Sequence, residues 1–166
     1  MADTVLHHPN RDKAESKGTR AVVILLLLTS ALLILVVTLG GWSQLQGAQM
    51  ISFGYVIVYL VMAWAVVHWN RGVLPVAAGL AILFAVVAVV AAPGWFEADG
   101  KIDDPALEPS ILGLLTIILV PVQLLLVAFA MRGFQQQWSV EVEVARDEAE
   151  RNRAGDDSSG GAVQPA

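Results

Sequence analysis

The sequence predicts an all-α membrane protein, a bundle of four transmembrane helices with short cytoplasmic tails. Of its 166 residues, 56% are hydrophobic and only 15% are charged, and the charged residues lie outside four long apolar runs. Each run is about 20 residues long, the length at which a helix crosses the hydrocarbon core of a bilayer. An ordinary soluble domain would carry more charge.

The four runs define a transmembrane domain over residues 21–131. Alternating polar and apolar residues, which are typical of barrel strands, are absent from these runs. Helices are therefore expected, because a helix satisfies its backbone hydrogen bonds within one segment. The first run follows basic residues, as a secretory signal would, but it is longer than a signal core and no small-residue cleavage site follows it. The predicted spans are about 21–39, 50–68, 73–92 and 111–131.

The basic residues predict the orientation. Nine of the ten Lys and Arg residues lie in the two tails or between the second and third spans, and Lys101 is the tenth. Because basic residues are retained on the cytoplasmic side of a cell membrane, the tails at 1–20 and 132–166 are predicted to be cytoplasmic. The acidic loop at 93–110 is then external.

The carboxyl-terminal tail, 132–166, is predicted to be partly helical and then disordered. Charge pairs at helical spacing favour a short helix between 139 and 153. Val140, Val142 and Val144 alternate with glutamates, however, so a brief strand or an extended segment stays open as an alternative. After Ala154 the composition is mainly Gly, Asp and Ser, which is typical of disorder.

Missing residue types exclude several kinds of chemistry. The chain has no cysteine and only three histidines, so thiolate metal sites and paired-histidine haem sites are not expected. The four spans contain no Asp, Glu, Lys or Arg, which argues against a proton-coupled carrier. No phosphate-binding loop or hydrolase motif is present, and the Asp103–Asp104 pair is read as a solvated turn, with calcium binding or docking of a basic partner as the alternative. The sequence therefore predicts no enzymatic activity, no cofactor, no metal and no nucleic-acid partner.

Alanines follow a helical spacing along the third span and predict a packing face. They are four, four, three and four residues apart, which keeps them on one stripe of a helix. Small residues let two helix backbones approach closely in lipid, where van der Waals contact drives association. The predicted packing residues are Ala77, Ala81, Ala85, Ala88 and Ala92.

Polar side chains recur at nearly one depth near the centres of three spans. Tyr59 is central in the second span, and Gln123 lies just past the centre of the fourth. An unpaired polar group is unfavourable in hydrocarbon, so these groups are expected to form hydrogen bonds between helices. Pro121 lacks an amide hydrogen and predicts a kink in the fourth helix. The predicted midplane contacts are Thr29, Ser30, Tyr59, Thr116, Pro121 and Gln123.

Two classes of function are compatible with these observations. The favoured class is a non-catalytic accessory or assembly subunit of a larger membrane complex, whose partners are the lipid bilayer and other membrane subunits or further copies of itself. The alternative is a small oligomeric transporter or channel for a neutral or unknown substrate, with Gln123 and Tyr59 lining its path. The first is favoured because a carrier without intramembrane charge has little with which to select a substrate.

Overall fold

The computed structural model describes residues 4–7, 13–45, 47–101, 106–136, 138 and 142–145. Four helices dominate it: α1 (Ala14–Gly40), α2 (Gln49–Val67), α3 (Val73–Glu97) and α4 (Pro109–Gln135). All four are long and apolar enough to cross a membrane, so the prediction of four such helices is confirmed. This part of the chain is all-helical.

A small antiparallel sheet accompanies the helices. Strand β1 (Thr4–His7) pairs with strand β2 (Val142–Ala145), with Thr4 opposite Ala145 and His7 opposite Val142. Strand β2 corresponds to the extended alternative for the tail, because valine alternates there with glutamate. The remainder of the helix favoured between 139 and 153, the disorder predicted after Ala154, and Asp103–Asp104 lie outside the described residues.

The helices extend beyond the apolar runs that predict them. Helix α1 begins at Ala14 instead of 21, and α3 continues through Pro93 to Glu97 instead of ending at 92. Apolar composition marks only the segment within hydrocarbon, whereas backbone hydrogen bonding continues into the interface wherever helix-forming residues follow. A proline removes one backbone donor but does not end a membrane helix whose neighbours support it.

The four helices form an incomplete ring. Helix α1 packs on both α2 and α4, and α4 makes the most extensive helix contact of the fold with α3. Helices α2 and α3 contact each other only slightly. The order around the bundle is therefore α2, α1, α4, α3, with an opening between the first and the last. The fully buried side chains of the core include Val23, Leu27, Tyr59, Val66, Leu74 and Leu126.

The bundle has two distinct ends. At the tail end, α1 begins, α4 ends, and the short connection 68–72 joins α2 to α3; at the loop end lie the connections 41–48 and 98–108. Pairing of β1 with β2 brings residues from the two tails together, in agreement with an even number of crossings.

Trp138 closes the tail end. Its ring is fully buried and meets the Trp69 ring edge to face, with centroids 5.5 Å apart. Its Nε1 donates to Oε1 of Gln136 over 3.0 Å, and Nε2 of Gln136 donates to Oγ1 of Thr19 over 3.0 Å. The tail that follows α4 is thereby tied to the start of α1.

Arg20 joins the same end to α2. Its guanidinium donates to the carbonyl oxygens of Val66, over 3.2 Å, and of Val67, and it lies over the Trp69 ring at 4.3 Å from the centroid. The last carbonyls of a helix lack partners within the helix and carry partial negative charge, so a cation is stabilising there. We call Thr19, Arg20, Trp69, Gln136 and Trp138 the tail-end cluster.

The packing of Trp138 predicts that a methyl group is not tolerated at Gly133. A Cβ at this position would lie 3.0 Å from Cζ2 of Trp138 and 3.1 Å from Cδ1 of Leu74, and both side chains are fully buried. We expect Gly133→Ala to lower the free energy of unfolding by about 1–3 kcal/mol through overpacking. Circular dichroism of the purified protein during unfolding in mixed micelles measures the change.

Gly79→Ala is the matched control. Gly79 lies within α3 and is exposed, and a Cβ there would meet nothing within 4 Å. The control is expected to keep or raise stability by up to about 1 kcal/mol, because alanine favours helix over glycine. Equal effects of the two substitutions would contradict the packing at the tail end.

Candidate functional site

Three helices meet in one hydrogen-bonded group at the centre of the bundle. The hydroxyl of Tyr59 donates to Oε1 of Gln123 over 2.9 Å, and Nε2 of Gln123 donates to Oγ of Ser30 over 3.0 Å. Ser30 in turn donates to the carbonyl oxygen of Leu26 over 2.8 Å. We call Ser30, Tyr59 and Gln123 the midplane cluster. It joins α1, α2 and α4 at one depth.

Helix geometry explains why these three side chains can meet. Each lies within three residues of the midpoint of its helix. At the rise of an α-helix, this places each within about 4.5 Å of that midpoint along the helix axis. All three are fully buried, at 0% exposed. No part of the cluster is therefore exposed to solvent.

The amide of Gln123 is the only group in the cluster that both accepts from and donates to another helix. A glutamine side chain has an acceptor oxygen and two N–H donors, so it can join two hydroxyl groups on different helices. A leucine of similar size could fill the same space but could not bond to either hydroxyl. The amide therefore sets the axial register of α4 against α1 and α2.

The structure separates Thr29 from the cluster. Thr29 is half-buried and borders a shallow groove on the outer surface of α1, together with Leu25, Leu28 and Leu32. Ser30, its neighbour, faces inward instead. Adjacent residues on a helix point about 100° apart, and the rotation of α1 turns Ser30 toward the cluster and Thr29 toward the outer surface.

Thr116 and Pro121 are also outside the hydrogen-bonded group. Thr116 is buried, but its hydroxyl donates to the carbonyl oxygen of Leu112 in its own helix, over 2.8 Å. Pro121 is exposed, and α4 continues through it without interruption. The predicted kink at Pro121 stays a prediction.

The alanine stripe of α3 lies entirely within the bundle. All five members are buried, and α3 makes its most extensive contact with α4. The α4 face that includes Gly113, Thr116, Leu119 and Gln123 is buried as well. Small side chains on α3 let the two backbones approach closely. The stripe residues are Ala77, Ala81, Ala85, Ala88 and Ala92.

The midplane cluster can pin helices, but it offers little for chemical reaction. Its members are a phenol, an amide and an aliphatic hydroxyl, and none is charged at neutral pH. Among the described residues, no group of three His, Asp or Glu side chains is close enough together to hold a metal ion. The arrangement is suited to structural specificity.

Two features are missed by sequence reasoning. The tail-end cluster depends on Trp138, which lies only three residues past α4 yet is fully buried. The second is the opening between α2 and α3, which includes Tyr55. Aromatic residues near the ends of spans signal an interface, but their contacts with particular partners depend on the arrangement of the helices.

The hydrogen bonds of the midplane cluster predict a coupled effect of substitution. Gln123→Leu and Tyr59→Phe each leave a polar group of the other residue without its partner, so each is expected to lower the free energy of unfolding by about 1–3 kcal/mol. The combined variant is expected to be no less stable than Gln123→Leu alone, because both polar groups are then gone. Unfolding in mixed micelles, followed by circular dichroism, provides the three values.

Gln135→Leu is the control for this cycle, since Gln135 is exposed at the end of α4. It is expected to change the free energy of unfolding by less than about 0.5 kcal/mol. Additive effects of the two core substitutions would show that Tyr59 and Gln123 do not interact.

The comparisons with known proteins leave the residues as the only guide to function. No family model, curated protein or solved structure matches this chain.

Proposed function

We propose that this protein is a non-catalytic accessory or assembly subunit of a larger complex in the cell membrane. The observation that carries the proposal is the pairing of Gln123 with both Tyr59 and Ser30. A transport path needs polar groups that face water or a substrate. Here the polar groups of the bundle centre face one another and are fully buried.

Two further hydroxyl groups of the bundle support the same conclusion. Thr38 donates to the carbonyl oxygen of Ile34 over 2.7 Å, and Ser52 donates to that of Ala48 over 3.2 Å. These bonds lie within single helices and satisfy the hydroxyl donors locally. No charged residue occurs within the four apolar runs. Ion or proton coupling usually depends on such charges.

Helix α2 is best suited to contact another subunit. It is the least buried of the four spans and packs only slightly on α3. Its outward face carries large apolar residues, among them Leu60, Val61 and Trp64, which are all exposed. A second membrane helix could pack there without displacing any part of the bundle.

The proposed orientation places both tails in the cytoplasm and the 93–110 loop outside. Arg20, Arg71 and Arg132 lie at the tail end, where basic residues are expected on the cytoplasmic side. Lys101 lies at the loop end, beside the acidic residues Glu97 and Asp99.

We expect stoichiometric membrane protein partners to copurify with the tagged protein in mild detergent. Leu60→Trp on α2 is expected to reduce their recovery several-fold, because it changes the shape of the proposed contact face. Leu32→Trp, at a similarly exposed position on α1, should leave recovery unchanged. Mass spectrometry of the eluted complexes measures both.

The alternative function gives the opposite result. A symmetric complex of this chain alone, with substrate flux after reconstitution into vesicles, would contradict the accessory role and support a small transporter.

Cysteine labelling tests the orientation without background, because the chain has no native cysteine. Lys101→Cys and Lys17→Cys replace exposed lysines at opposite ends of the bundle. An impermeant maleimide added to intact cells is expected to label the first variant and not the second. Both should react after the membrane is permeabilised, and labelling of Lys17→Cys in intact cells would invert the proposed topology.

A further inference from the structure

A deep cleft lies between α2 and α3 in the loop-end half of the bundle. Its volume is about 480 Å³. Buried residues of α1, α3 and α4 form its floor, whereas exposed residues of α2 and α3 form its rim. The floor includes Ile34, Ala88, Trp95 and Leu119, and the rim includes Ile51, Val87 and Ala91. We call this feature the α2–α3 cleft.

The cleft results from the packing of the bundle. Helix α3 is drawn against α4, and α2 is held to α1. The rings of Tyr55 and Phe84 bridge part of the separation, with centroids 4.9 Å apart. Nearer the loop end, α3 presents the small residues Ala91 and Gly94 to the cleft, so the gap is not filled by side chains.

The dimensions of the cleft fit a lipid chain. Its lining extends along α3 from Phe84 to Ala98, which is about 21 Å at the rise of an α-helix. One leaflet of a bilayer has about 15 Å of hydrocarbon, so the cleft is long enough to hold a lipid chain. Ligands bound singly occupy sites of about 300–1,000 Å³.

The polar groups of the lining are uncharged, and among its hydroxyl groups that of Tyr55 differs from the others. Thr38, Ser52 and Thr116 each donate to a carbonyl oxygen of their own helix. Tyr55 is half-buried and lines the cleft, but its hydroxyl forms no hydrogen bond to any described residue. An unpaired hydroxyl is costly in hydrocarbon. Its position therefore calls for an oxygen atom on a ligand.

We propose that the α2–α3 cleft binds an uncharged lipid that has one long hydrocarbon chain and a hydrogen-bonding oxygen. The lipid enters sideways from the bilayer, between Ile51 of α2 and Ala91 of α3. Its chain lies against Ala88, Trp95 and Leu119, and Tyr55 donates to its oxygen. Among the described residues, no charged side chain lines the cleft, so they offer an ionised headgroup no counter-charge there. The site is independent of the proposed role as a subunit.

A photoreactive long-chain alcohol tests the proposal. Hexadecanol that carries a diazirine in its chain is added to the full-length protein in phosphatidylcholine nanodiscs, irradiated, and its adducts are mapped by mass spectrometry. We expect adducts on Ile51, Val87 and Ala91 in preference to residues on the outer surfaces of α1 and α4, such as Leu25 and Leu125.

Two variants separate filling of the cleft from loss of its hydrogen bond. Ala91→Phe fills the space at the rim and is expected to reduce labelling of the cleft at least fivefold. Tyr55→Phe keeps the ring and removes the hydroxyl, so labelling at limiting probe should fall about fivefold, the loss expected for one hydrogen bond. Ala128→Phe, at an exposed position on α4, is the control and should leave labelling unchanged.

Labelling is measured only on variants that elute from size-exclusion chromatography and unfold as the unsubstituted protein does. If Ala91→Phe does not fold, Tyr55→Phe serves as the test. Adducts spread evenly over the lipid-facing surface would overturn the proposal. Unchanged labelling of Ala91→Phe would overturn binding of the hydrocarbon chain in the cleft. Unchanged labelling of Tyr55→Phe would overturn the hydrogen bond to the ligand.

Discussion

The lack of hydrogen-bonding partners in lipid constrains this fold more than any other factor. A polar side chain at the centre of a span either finds a partner within the protein or destabilises the bundle. Gln123 has the most polar side chain at that depth, and it meets Tyr59 on one side and Ser30 on the other. Those two contacts set the rotation and height of three helices. The apolar surfaces around them could slide or rotate at much lower cost, because lipid is as good a neighbour for leucine as another leucine is.

Small residues decide the position of the remaining helix. Helix α3 contributes no side chain to the midplane cluster, and its alanine stripe is buried in the bundle instead. Close approach of α3 to α4 is stabilising through dispersion. It also draws α3 away from α2, because α2 is held to α1 by the midplane cluster and by Arg20. The α2–α3 cleft is thus a consequence of two stronger contacts on either side of it.

Sequence reasoning reaches the parts of this structure that depend on composition and on one helix at a time. Four spans, the inward side of the alanine stripe and the need to bury Tyr59 and Gln123 all follow from counting apolar and polar residues at helical spacing. Choosing Ser30 over Thr29 does not follow, because that choice depends on the rotation of α1 against its neighbours. Arg20 and Trp138 lie outside the apolar runs. Their contacts arise because α1 begins before its apolar run and because the chain after α4 folds back onto the bundle, and composition encodes neither. Tyr55 and Tyr59 have the same side chain and lie on one helix face, yet among the described residues only the hydroxyl of Tyr59 has a hydrogen-bond partner.

The two ends of the bundle differ in how completely they are closed. At the tail end, Trp138 is fully buried, Gln136 bonds to α1, and Arg20 bonds to the last carbonyls of α2, so three helices and a tail are joined there. At the loop end, the Trp95 ring packs closely on Gly41, and α2 and α3 contact each other only slightly, as where Tyr55 meets Phe84. Because the tail end is joined by polar and aromatic contacts, separation of α2 from α3 at the other end does not loosen the core. A bundle built in this way can admit a lipid chain at one end while the opposite end holds its register.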